Sequence, residues 1–264
     1  MELVYILAIP FAGTLIGAAC AFTIGSGDVP ARVFAALTGF AAGVMTAASV
    51  FSLLLPAMDI AEETGRSSLV AVLAGLAAGV AFLLVLEHFV RFIKCRFCDS
   101  VAVKSAEKQG ISGRNGMLLL ALALHNIPEG MAVGASYAGS SIQENGVSFA
   151  GALVLCAGIA IQNLPESAVI ALPLAMSGMK RRKAFFFSLL SGVAEPVAAV
   201  VTMSAAGFFT PLLPYLLCFA AAAMLYVVVQ ELIPEMYSCG KNSLGIISFT
   251  AGFAFMAALD IIFG

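Results

Sequence analysis

The stretch "LHNIPEG", Leu124–Gly130, lies in an apolar part of the chain, yet it carries a histidine, an asparagine, a proline and a glutamate. The sequence repeats the pattern soon afterwards as "IQNLPES", Ile161–Ser167. On a helix at about 100° per residue, with His125 at 0°, Asn126 falls near 100° and Glu129 near 40°. The glutamate lies between the other two and can serve a ligand set with each. Gln162, Asn163 and Glu166 take the same three angles. Two such helices facing each other offer two adjacent sites, with the glutamates as bridges. Pro128 cannot donate to the carbonyl of Leu124, nor Pro165 to that of Ile161, so each helix is expected to kink. Broken backbone at membrane depth is tolerated where it lines a cavity or is buried in protein.

The surroundings decide the class. The chain has 264 residues, 61% hydrophobic and 11% charged, against roughly 25% charged in a soluble domain. Eight segments reach the about 20 apolar residues that a membrane helix needs. They are Leu3–Ile24, Ala31–Pro56, Leu69–Ile93, Met117–Ala138, Val147–Ala175, Ala184–Phe208, Leu212–Tyr237 and Leu244–Phe263, spans 1 to 8. The expectation is one all-α transmembrane domain over residues 1–264, with a cytoplasmic loop at about 94–116. The first span has no basic n-region and reads as a retained helix rather than a signal peptide. Lys and Arg set the orientation. Of the 13 basic residues, all except Arg66 fall in or beside the loops after spans 1, 3, 5 and 7. Those loops are therefore expected in the cytoplasm and both termini outside.

Charge inside the spans points to chemistry. Glu129, Glu166 and Glu195 (in "GVAEPVAA") lie in spans with no central Lys or Arg. Unpaired, three ionised residues would cost on the order of 8–10 kcal/mol. The missing counter-charge must be protons or a bound cation. An intramembrane His or Asn alone is often only helix–helix glue. Two matched motifs plus a third Glu-Pro, Glu195-Pro196, exceed what glue requires. Imidazole, carboxylate and amide oxygen together suit a divalent transition metal. Spans 4 and 5 run in opposite directions, so the paired motifs have the character of an inverted repeat with its site near the midplane.

These residues resemble the ZIP (Zrt-, Irt-like) divalent metal transporters, in particular the bacterial GufA-like branch. The resemblance runs along the whole chain, through "GFAAGVMTAASVFSLLLPA", "ALHNIPEGMAVG", "GIAIQNLPESAVIALPL", "GMKRRKAFFFSLLSGVAEP" and "AAAMLYVVVQELIPE". It implies a binuclear metal site between spans 4 and 5. One position resembles Met45, His125, Glu129, Gln162 and Glu166; its neighbour resembles Asn126, Glu129, Asn163, Glu166 and Glu195. Met45 enters through the resemblance alone, and as a bare sequence feature reads as core packing. The implied cargo is Zn2+ foremost, with Cd2+, Fe2+ and Mn2+ as further candidates. The resemblance also implies uptake toward the cytoplasm across the plasma membrane, and a homodimer in the lipid bilayer. It implies an elevator-like shift of spans 1, 4, 5 and 6 against spans 2, 3, 7 and 8. The chain departs from the family pattern at Ser167, where a glycine is usual, and at Asn163, where some relatives carry an acid. Gln230 stands where relatives often place a charged residue or a histidine.

Other features read more plainly. Asp59, Glu62 and Glu63 form an acidic outer loop. Glu231 and Glu235 share a face of span 7, and Glu87 and His88 read as interfacial anchors. Four of the six cysteines read as small apolar fillers, while Cys95 and Cys98, a C-x-x-C in a reducing loop, read as free thiols with a regulatory metal-sensing pair as the alternative. Two rival classes stand beside the transporter: a membrane-embedded metallohydrolase using a metal-bound water, and a proton-linked carrier of another solute. No HExxH pattern and no soluble substrate domain favour the first. The expectation is a carrier, not an enzyme, with no nucleic-acid partner.

Overall fold

The computed structural model describes residues 2–22, 30–97, 113–142, 148–176, 178–208, 210–237 and 243–263. For residues 89–97, 113–125, 141–142, 173, 206–208 and 210 it describes the backbone alone. Among the described residues all regular structure is helical. Seven helical runs are long and apolar enough to cross a membrane, and the 30-residue helix Gly113–Ile142 joins them. Helix is what lipid demands, because the backbone can be satisfied only from within.

Span 1 is Glu2–Ala19, closed by a 3-10 turn at Cys20–Phe22. Spans 3, 4, 5 and 8 are the helices Ser68–Phe97, Gly113–Ile142, Phe149–Met176 and Ser243–Phe263. Spans 4 and 5 stay helical through Pro128 and Pro165. The other three spans are composite. Span 2 runs Ala31–Ala48, then a wide π turn at Ser49–Leu54, then Leu55–Glu63. Span 7 runs Leu213–Val227, a π turn at Val228–Leu232, then Ile233–Tyr237. Span 6 breaks at Val193 into Arg181–Gly192 and Ala194–Phe208.

The composite spans correct one expectation. Span 2 was expected to end at Pro56, but helix continues to Glu63. A proline ring normally collides with the carbonyl four residues back. Here Leu55 N–H reaches back five residues to the carbonyl of Val50, and that widened turn carries the chain past Pro56. Span 7 repeats the device: Ile233 N–H bonds the carbonyl of Val228 just before Pro234. In span 6, Pro196 offers no N–H to the carbonyl of Gly192, and the helix gives way there.

The closest packing joins spans 1 with 5, 4 with 6, 2 with 8, and 3 with 7. Spans 2 with 5 and 4 with 7 then bring these pairs together. Exchanging spans 1, 2, 3 and 4 with spans 6, 7, 8 and 5 maps every one of these contacts onto another. The matching π turns of spans 2 and 7 obey the same exchange, as an inverted repeat requires. Each tight pair is closed by a G-x-x-x-G, which lets helix backbones approach. Gly13 and Gly17 face span 5, Gly39 and Gly43 face span 8, Gly75 and Gly79 face span 7, and Gly130 and Gly134 face span 6. The departure at Ser167 finds its reason here. Its Cβ is met by Gly17, which leaves room for it, whereas in span 4 the glycine belongs to the motif itself, as Gly130.

Candidate metal site

Spans 4, 5 and 6 bring the polar residues together. Glu129 and Gln162 are fully buried, and Asn126, Asn163, Glu166 and Glu195 are nearly so. Gln162 Nε2 donates to Glu129 Oε1 at 2.6 Å, joining span 5 to span 4. Asn163 Nδ2 donates to Glu195 Oε2 at 2.8 Å, joining span 5 to span 6, and to the carbonyl of Pro10 in span 1 at 3.4 Å. Asn126 Nδ2 donates to the carbonyl of Ser191 at 3.1 Å, beside the break in span 6. Ser188 Oγ adds a bond to the carbonyl of Ser167 at 2.9 Å. The break also places Glu195 in the first turn of a new helix. The N-terminal dipole there favours a carboxylate by about 0.3–1 kcal/mol.

The two motifs therefore meet with a division of labour. Glu129 of span 4 and Glu195 of span 6 each accept a bond from an amide of span 5, which also carries the carboxyl of Glu166. Glu195 lies within electrostatic reach of both Glu129 and Glu166. Within this cluster Glu129 Oε2, Gln162 Oε1, Asn163 Oδ1 and Glu195 Oε1 are four buried oxygens that accept no hydrogen bond among the described residues. Leaving a buried acceptor unsatisfied costs roughly 1–3 kcal/mol, so four together mark a place built for a donor or a cation. Each amide has an N–H side and an oxygen side. Rotating Gln162 or Asn163 would withdraw a donor from a glutamate and present an oxygen instead, so one residue can hydrogen-bond the carboxyl group in the empty site and ligate in the filled one.

The expected ligands fall into three groups. Glu129, Gln162, Asn163 and Glu195 are brought into direct contact, with Asn126 and Glu166 on the same helices. Met45 is fully buried on span 2, in one core cluster with Leu155 and Ile159 of span 5. The side chain of His125 lies outside those described, as do Cys95 and Cys98. Among the described residues no three His, Cys, Asp or Glu side chains converge on one point; the cluster is built from carboxylates alternating with amides.

Some contacts were not legible in the motifs. Ser52 Oγ donates to Asp260 Oδ1 at 2.7 Å, tying span 2 to span 8. Tyr226 Oη donates to Glu87 Oε2 at 2.7 Å, tying span 7 to span 3, so Glu87 is a helix tie. The one available signal was general and applied to Asp260 alone: a carboxylate in a span without a basic residue needs a donor. Asp59, Glu62 and Glu63 are exposed as expected, with Glu62 accepting a bond from Ser68 Oγ at 3.0 Å.

Eight membrane-length helices in an inverted repeat, closed around buried carboxylates and amides, define a multi-pass membrane transporter for cations. Comparison with known proteins identifies the kind. The family model described as ZIP zinc transporter matches residues 99–260. The zinc transporter ZIPB of Bordetella bronchiseptica is 35% identical, over 96% of this chain and 79% of its own length. The zinc transporter GufA of Myxococcus xanthus is 35% identical over 81% of each chain. The zinc transporter ZIP11 of Xenopus tropicalis is 32% identical, over 94% of this chain and 93% of its own. The chain belongs to the ZIP zinc transporter family. That family is one of transporters, which sets aside the metallohydrolase reading.

Proposed function

We propose that the chain carries divalent transition-metal ions, zinc foremost, across the plasma membrane toward the cytoplasm. Cadmium, iron and manganese are the further candidates. The observation that carries this reading is the group of four buried oxygens, shared by spans 4, 5 and 6, that find no hydrogen-bond donor among the described residues. The mixed donor set of carboxylate, amide, thioether and imidazole suits such an ion. The ions use two adjacent positions. The first takes Met45, His125, Glu129, Gln162 and Glu166; the second takes Asn126, Glu129, Asn163, Glu166 and Glu195. The test is flux into proteoliposomes across a metal panel. Zinc uptake that competes with cadmium supports the reading, and a protein that moves no divalent metal overturns it. Assembly as a homodimer belongs to the same proposal and is read by cross-linking in native membranes.

Movement is by one bundle sliding on the other. Spans 1, 4, 5 and 6 carry the polar cluster, and spans 2, 3, 7 and 8 form the scaffold. Every interhelical hydrogen bond named above joins spans of a single bundle, and so does every G-x-x-x-G contact. Backbone-to-backbone closure makes each bundle stiff. The interface between them is left to side chains.

Asn163 limits the second position. Its amide already occupies Glu195. In Asn163→Asp two carboxylates would face each other at that distance, an arrangement that needs a cation or a proton between them. The variant is expected to hold one more metal per chain by elemental analysis, and to melt lower than wild type when metal is stripped. Unchanged stoichiometry would show that the amide is not the limit.

Binding should also release protons, because metal ligands must be deprotonated. Imidazole ordinarily titrates near about 6.5 and a glutamate near about 4.3. Lowering the pH from about 7 to about 5 puts protons in competition with the metal, so affinity falls with pH. Calorimetry of zinc binding in buffers of different ionisation enthalpy reads the released protons directly. Zero release across that range would mean that the glutamates are already ionised in the empty site, and would overturn the argument that protons supply their missing counter-charge.

A further inference from the structure

Span 8 buries only three of its described residues: Gly245, Gly252 and Met256. The glycines serve the scaffold. A Cβ on Gly252 would strike the carbonyl oxygen of Phe40 in span 2, and one on Gly245 would meet Met236 of span 7 at 2.6 Å. Met256 lies one turn beyond Gly252 on the same helix face and is fully buried. The three atoms nearest to a Cβ built on Gly158 of span 5 all belong to it: Sδ, then Cε at 2.9 Å, then Cγ at 3.9 Å. Span 8 lies in the scaffold and span 5 in the carrying bundle. The missing side chain of Gly158 thus makes a socket, and the thioether of Met256 fills it across the sliding interface.

We infer that Met256 seated over Gly158 is a detent that holds the carrying bundle in one register against the scaffold. This rests on the sliding-bundle reading above. A slide of one helical turn along span 5 brings Val154 or Gln162 opposite Met256 in place of Gly158. Neither leaves room for the thioether, so the socket exists in one register only. Methionine is unbranched, with three rotatable bonds and a polarizable sulfur. It can withdraw, let the helix pass and seat again. Close-packed interfaces favour discrete arrangements over continuous ones. Met256 is therefore a positioning residue: it biases which register is populated and does not touch the metal.

The test uses the full chain in proteoliposomes, with zinc flux for Vmax and equilibrium dialysis of the solubilised protein for zinc affinity. Gly158→Ala obstructs the seat, and Met256→Ala removes the knob without adding any clash. Both destabilise the same register, so both are expected to change Vmax by about threefold or more in the same direction, because a population shift follows the differential stability of two states. Zinc affinity should stay at the wild-type value in each. In the double variant the added methyl group faces the space the thioether left, and Vmax should return to within about a factor of two of wild type. If Gly158→Ala does not fold, Met256→Ala alone decides: wild-type Vmax removes the detent. Additive losses in the double variant, or affinity falling in step with Vmax, also overturn it. Absence of zinc flux in the wild-type protein is a different result and would count against the transport reading itself.

Discussion

Glu129→Ala should bring zinc flux in proteoliposomes close to background, a loss of about 100-fold or more. Zinc held by four protein ligands is bound by about 10–16 kcal/mol, or about 3 kcal/mol for each ligand, which is about two factors of ten. Glu129 carries more than one share in the proposed scheme, because it serves both positions. Fully buried, it has one oxygen bonded by Gln162 and the other facing no donor among the described residues. The alanine variant should still insert and fold, since leaving Gln162 Nε2 without its acceptor costs only about 1–3 kcal/mol. The measurement is initial zinc uptake, normalised to protein recovered in the liposomes by sedimentation. His125→Ala and Glu166→Ala should follow the same pattern. Wild-type uptake by well-folded Glu129→Ala would remove the glutamate from the pathway, and the two-position scheme with it.

Gly130→Val should be nearly as damaging, by a different route. A Cβ on Gly130 would strike the carbonyl oxygen of Glu195 and lie 2.9 Å from the Cβ of Ala198. Overpacking usually costs about 1–3 kcal/mol because side chains can shift. Here the obstacle is main chain, so span 6 must back away from span 4. It would take Glu195 with it and pull the carboxylate from Asn163 Nδ2. The expected result is a lower melting temperature and zinc uptake near background, with Gly130→Ala intermediate in both. A valine variant with wild-type uptake would show that the spacing of spans 4 and 6 does not position Glu195.

The helices were legible because lipid sets a simple rule. A span needs length and apolarity, and each of the eight stretches read from hydropathy overlaps a helix with ends that differ by a few residues. The exception, Pro56, is instructive. A proline looks like a stop, and only the widened turn before it, which no local pattern announces, explains why the helix continues. The buried polar motifs were legible for a similar reason: charge in an apolar span is costly enough to stand out. Their wiring was not. That Asn163 would reach Glu195, or that Asn126 would turn to Ser191, depends on which helices lie side by side. The G-x-x-x-G spacing of spans 1 to 4 lets a helix pack closely but does not say on which partner. Met256 gave no signal at all, since methionine is common in membrane helices and only its seat across from Gly158 distinguishes it.

The amide-to-carboxylate bonds of span 5 bear on how such a chain is made. A protein that gathers a scarce ion is needed most when that ion is lacking, so its assembly cannot wait for the cargo. Small zinc domains that fold only around their metal would fail under that condition. Gln162 and Asn163 give Glu129 and Glu195 partners from within the chain. The newly made protein can therefore settle in the bilayer during starvation, with its carboxylates already accommodated and its receiving oxygens in place.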